Sequence, residues 1–172
     1  MSVARLPEGV GENVAMDVFS AATGQDHAWI AARVPHAGSM CLLDGVMQAA
    51  PEAITCRAAS HRLPDHPMRQ AGRLGAACGV EYAAQAMALH GAMLAEQRQA
   101  PQARMGFLIS LRGVKLHVAR LDDIAADLTV QASCEADNGD HCVYGFRLSA
   151  EGRLLVEGRA TVMLDVPVPA PT

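Results

Sequence analysis

Aromatic side chains are scarce: three Phe, two Tyr and one Trp make up 3% of 172 residues. Any core must therefore be assembled from Ala, Val, Leu and Met, whose small or flexible side chains let helices and sheets approach closely. Charged residues are also few, at 19%, and the net charge of −4 provides no basic excess to displace counterions from phosphates. That excludes nonspecific nucleic-acid binding. No apolar run approaches the roughly 20 residues needed to span a bilayer. The N-terminus has no basic segment followed by an apolar one, so no secretory signal is visible and a cytoplasmic protein is expected. The five cysteines, Cys41, Cys56, Cys78, Cys134 and Cys142, form no CxxC or CxxH pair and have apolar neighbours. Their odd number and spacing predict reduced core thiols, not disulfides or a metal site.

What the chain does have is apolar content, 51%, enough for one globular domain with a sizeable core. Residues 1–33 read as an N-terminal extension with one short helix within Asn13–Ala22, residues 34–166 as the domain, and 167–172 as a Pro-rich tail. Val34-Pro35-His36-Ala37-Gly38-Ser39-Met40 is turn-like and leads into the apolar run Met40–Met47, a strand or a short helix and strand. Ala53–Ala59 alternates and is β-branched, as a strand should be. Ser60–Arg73 has two prolines, a glycine and no periodicity, and reads as a long polar loop. From Leu74 to about Glu96 the apolar residues recur at helical spacing. After Pro101, Gly106–Val118, Ala125–Ala136, His141–Ala150 and Arg153–Leu164 are strand candidates. Asp137-Asn138-Gly139-Asp140 and Glu151-Gly152 between the last three are hairpin turns.

Two short strands, a long helix and four antiparallel strands pack most simply as a curved antiparallel sheet wrapped around a central α-helix, an α+β fold. One sheet cannot enclose the helix completely, so pairing of two subunits, a homodimer, is expected. The helix is Ala-rich on nearly all sides and should be buried. It nevertheless carries Glu81, with Gln85 four positions on and therefore on the same face. A buried carboxyl must be paired, hydrogen-bonded or protonated.

These residues resemble a known family. Pro35-His36-Ala37-Gly38-Ser39-Met40-Cys41-Leu42-Leu43-Asp44 is similar to the opening motif of hot-dog-fold 3-hydroxyacyl-ACP dehydratases. Gly79-Val80-Glu81-Tyr82-Ala83-Ala84-Gln85-Ala86-Met87-Ala88 resembles their central helix. The likeness is greatest to the dehydratase-like branch of bacterial aryl-polyene gene clusters and spans about residues 34–164. It implies a lyase that dehydrates a 3-hydroxyacyl thioester to the trans-2-enoyl thioester in fatty-acid or polyene-type biosynthesis. In such enzymes a loop histidine and a helix acid, usually from opposite subunits, act together, while a backbone amide near the helix N-terminus polarises the thioester carbonyl. No metal or organic cofactor is required.

Carried onto this chain, the acid is Glu81, whose pKa burial should raise. The histidine is His66, fifteen positions before it, or His61 at the start of the same loop. The family's Gly-His-Phe-Pro-type loop is replaced here by Asp65-His66-Pro67. His36 is assigned to the turn or the pocket lining, and Gln85, Gly72, Gly75 and Gly79 to the substrate site, the glycines serving either close backbone approach or helix packing. Tyr82 is assigned to the core and His90 to the helix end. An acyl-carrier protein with its phosphopantetheine arm is the expected partner, met by Arg69 and Arg73 on the loop. Arg104, Arg112, Lys115 and Arg120 lie around the next strand. Two other functions fit the same fold: an acyl thioesterase, and a catalytically silent acyl-ACP-binding partner subunit.

Overall fold

The computed structural model describes residues 17–100 and 106–164. Residues 13–16 of the expected first helix, Arg104 and the 167–172 tail lie outside them. The described part of the N-terminal extension holds two short helices, α1 (Val18–Ala22) and α2 (His27–Ala31), and buries Phe19, Ala22 and Ile30 in the core. Asp26 caps α2 by accepting from the Trp29 N–H at 3.0 Å. Next come strands β1 (Gly45–Ala50) and β2 (Ala53–Ala58), then helix α3 (Gly79–Gln97) entered through a 3-10 turn at Ala76–Cys78. Strands β3 (Gly106–Leu116), β4 (Leu128–Asp137), β5 (His141–Ala150) and β6 (Arg153–Leu164) follow. All six form one antiparallel sheet in the order β1-β2-β4-β5-β6-β3. This is the hot-dog fold, the sheet as bun and α3 as filling.

Only β4, β5 and β6 form the meander. β3 does not pair with β4 but crosses to the far edge beside β6. The connection after β3 is no tight turn: Leu121 N–H donates to Leu74 O at 2.8 Å and Asp122 accepts the Leu74 N–H at 2.8 Å, which pins it at the foot of α3. The β5–β6 reversal places Glu151 and Gly152 at φ 48° and 77°, the paired positive dihedrals of a two-residue hairpin.

The inward residues of the sheet, among them Ile54, Cys56, Val130, Ala132, Phe146, Leu148 and Val156, meet Tyr82, Ala83, Ala86, Leu89 and Met93 of α3 in one core. Gly79 shows how close helix and sheet lie: a Cβ there would stand 3.1 Å from both Leu148 and Val156. His90, expected at a helix end, is instead fully buried. Its Nε2 donates to Ala50 O and its Nδ1 accepts from the Tyr144 hydroxyl, each at 2.9 Å. The opposite stripe of α3, Glu81, Ala84, Ala88, Ala92 and Ala95, is only partly covered. At the sheet edge, β3 exposes Phe107, Leu108, Ile109, Leu111, Val114 and Leu116. No described helix is long and apolar enough to cross a membrane.

Candidate active site

Glu81 lies in the first turn of α3, at the N-terminal end of the partly covered stripe. The expected burial is not observed, since its side chain is 30% exposed. The histidine that reaches it within this chain is His36, whose Nε2 stands 2.8 Å from Glu81 Oε1. Gln85, one turn on, is fully buried and uses its carboxamide three ways. Oε1 accepts the Leu42 N–H at 2.8 Å, and Nε2 donates to Met40 O at 2.7 Å and to Glu81 Oε1 at 3.0 Å. One side chain thus staples the 40–42 segment to the helix and brings the preceding His36 over Glu81. With its polar atoms so occupied, Gln85 acts on the site through its neighbours, not by facing a substrate.

The loop histidines are placed elsewhere. His66 is buried, with Nδ1 accepting the Met68 N–H at 3.1 Å and Nε2 3.0 Å from the Tyr82 hydroxyl. Because Nδ1 is an acceptor, Nε2 carries the proton and donates to Tyr82. Tyr82 in turn stands 2.8 Å from Ser60 Oγ, which donates to Leu42 O at 2.8 Å. The chain of bonds ties loop, helix and opening motif together. His61 is fully buried with Nε2 3.0 Å from Ile124 O. Burial lowers the pKa of both imidazoles, and it pushes the Tyr82 phenol up to about 12. His66 and Ser60 border a cleft of about 300 Å³ shared with His27, Ser39, Cys41 and Asp44, which Glu81 does not line. A larger cleft of about 590 Å³ lies on the outer face of the sheet among Arg112, Lys115, Glu135, Arg147, Glu157 and Arg159, remote from this chemistry.

The glycines divide. Gly72 adopts φ 74° beside Ala71 at 49° in a tight reversal closed by paired bonds between Gln70 and Arg73. Turn geometry accounts for it. Gly79 is explained by helix–sheet contact, whereas a Cβ on Gly75 would meet nothing within 4 Å. Arg69 is not free to dock a partner. Its guanidinium donates to Gly72 O, His61 O and Arg62 O at 2.9, 3.3 and 3.2 Å, and approaches Asp122 at 3.7 Å. Asp122 is also gripped by Arg120, which holds its carboxyl well below the usual range. Arg73, by contrast, is exposed. All five cysteines are unpaired, and burial raises every thiol, Cys56 to about 12, so none is primed as a nucleophile.

A carboxyl and an imidazole paired at the open end of a hot-dog helix are groups that can exchange protons with a bound molecule. The model of the ApeP-like family, described as ApeP dehydratase, matches residues 28–167. The chain belongs to the ApeP-like dehydratase family. No curated protein sequence matches it. Among solved structures, this ApeP-like chain is similar to the dehydratase heterocomplex ApeI:P from Xenorhabdus doucetiae, with 22% identity, a TM-score of 0.69, and coverage of 80% of this chain and 91% of that one. It is also similar to a zebrafish thioesterase superfamily member 2, with 15% identity, a TM-score of 0.56, and coverage of 81% and 95%. A hypothetical thioesterase solved with coenzyme A from Streptococcus pneumoniae TIGR4 has 12% identity, a TM-score of 0.53, and coverage of 81% and 94%. At these identities the structures share the fold. The family match distinguishes the dehydratase branch from the thioesterases. The contact between His36 and Glu81 was not legible at 45 positions' separation, although the Pro35-His36 motif and the Glu81/Gln85 pair were its two halves.

Proposed function

We propose that this chain dehydrates a 3-hydroxyacyl thioester to the trans-2-enoyl thioester, the acyl group arriving on an acyl-carrier protein. The observation that carries the reading is the Glu81–His36 pair, 2.8 Å apart and partly open, at the start of the central helix. Elimination needs a group to take the proton α to the carbonyl and to give one to the departing hydroxyl, and the Glu81 carboxyl, held by His36, is the group placed to do so. The N–H groups and positive end of α3 favour the charge that develops on the thioester oxygen. Of the two expected docking arginines, Arg73 is the one available to an acidic carrier.

The exposed apolar residues of β3 and the partly covered stripe of α3 favour assembly with a second hot-dog subunit. The homodimer is our first assignment. The heterocomplex formed by the similar Xenorhabdus proteins supports a second reading, in which this chain pairs with a different dehydratase subunit. Hydration of a short trans-2-enoyl-ACP, followed by absorbance loss of the conjugated thioester, tests the function. Wild-type turnover with loss of at least a hundredfold in Glu81→Gln is expected. Release of free thiol from acyl-CoA instead would indicate a thioesterase. No turnover by this chain alone, with turnover on adding a second hot-dog subunit, would indicate the partner role.

A further inference from the structure

The His36 ring has one nitrogen engaged and one sealed. Nε2 faces Glu81 Oε1 at 2.8 Å. Nδ1 is buried and has no hydrogen-bond partner among the described residues. An N–H at Nδ1 would be a buried donor without an acceptor, the costlier way to leave a polar atom unpaired, whereas a bare lone pair there costs less. The ring proton therefore sits on Nε2 and is donated to Glu81. The basic nitrogen of His36 then faces protein, not substrate. Glu81 Oε1 receives two donors, His36 Nε2 and Gln85 Nε2 at 3.0 Å. Its Oε2 has no partner among the described residues, on a side chain that is 30% exposed.

We infer that Glu81 Oε2 is the atom that exchanges protons with the substrate, and that His36 and Gln85 are positioning residues that hold the carboxylate by its other oxygen. The inference rests on the dehydratase reading and assigns the labour within it. The α C–H bond breaks, its proton passes to Oε2, and its electron pair moves into the thioester enolate, with the charge on the carbonyl oxygen. The enolate pair then forms the C2=C3 bond as the C3–O bond breaks, and the hydroxyl leaves with that same proton as water. Atoms and charge balance with one carboxyl returned to its starting form. Within this chain the rings of His61 and His66 are engaged by Ile124 O, by the Tyr82 hydroxyl and by the Met68 N–H, not by Glu81.

Two substitutions at one position separate a positioning imidazole from a proton-accepting one. Gln carries an amide N–H at about the reach of Nε2 but cannot act as a base. His36→Ala removes the donor and is expected to lower enoyl-ACP hydration on the order of thirtyfold, the range for a hydrogen bond to a charged group. His36→Gln should recover most of that loss, and its rate–pH profile should keep the wild-type limbs. His36→Gln as inactive as His36→Ala would overturn the assignment while leaving the dehydratase reading intact. A wild-type protein that hydrates no enoyl thioester would instead sink the reading beneath it. The ring nitrogens of the substrate-free protein supply a check that needs no turnover. Imidazole ¹⁵N spectra should show His36 protonated at Nε2 and bare at Nδ1, and the opposite tautomer overturns the proposal.

Discussion

Acid should unfold this protein through its buried histidines. His61, His66 and His90 are 0%, 4% and 0% exposed, and burial lowers the pKa of each imidazole in the folded chain. In the unfolded chain each recovers a pKa near 6.5. The unfolded state therefore binds more protons as pH falls through about 6.5, and folding stability drops on the acid side and levels off above it. Each such histidine contributes a slope of about 1.4 kcal/mol per pH unit over the range where only the unfolded form is protonated. Three together give about 4 kcal/mol per unit, against a total stability on the order of 5–15 kcal/mol. Urea midpoints measured at half-unit steps from pH 8 to pH 5 should be nearly flat above pH 7 and fall steeply below pH 6.5. His66→Asn offers an oxygen to the Met68 N–H in place of Nδ1 and does not titrate, so it should remove about a third of the slope. A midpoint independent of pH from 7.5 to 5.5 would refute the reasoning.

Gly79→Val should cost about 1–3 kcal/mol by thermal or urea denaturation, because even a Cβ would stand 3.1 Å from Leu148 and Val156 on the sheet. Arg69→Met strips three backbone carbonyls of the 61–72 loop of their donor and should destabilise by about 2 kcal/mol, with faster proteolysis of that loop. Leu108→Lys with Leu111→Lys on β3 should convert the associated species to monomer in sedimentation, since exposed edge strands are blunted by charge.

The elements were readable where their signal was local. The helical recurrence read from Leu74 came out as α3, although the helix begins only at Gly79 after the 3-10 turn at Ala76–Cys78, and His141–Ala150 and Arg153–Leu164 came out as β5 and β6 with those bounds, set by the turn chemistry between them. The placement of β3 was not readable, because it is set by pairing with β6, from Gly106 with Leu164 to Leu116 with Val156, across two intervening strands. The same holds for the site. Glu81 and Gln85 could be paired by helical spacing alone. What Gln85 does depends on backbone atoms at Met40 and Leu42, and it is this staple that brings His36 to the carboxylate. The loop histidines carried the stronger local signal, but folding turned their rings inward, toward Tyr82 and Ile124.

The open edge along β3 also governs how the chain must be made. An unpaired strand carrying Phe107, Leu108, Ile109 and Leu111 is a template for any other extended chain, so the lone subunit is at risk from the moment it leaves the ribosome. In the paired assembly proposed above, the safe lifetime of a newly made subunit is set by how soon a second subunit covers that edge. Subunits that fail to meet a second one would be lost to aggregates or proteolysis instead of accumulating as monomer, so the yield of intact protein should fall steeply when the chain is made dilute.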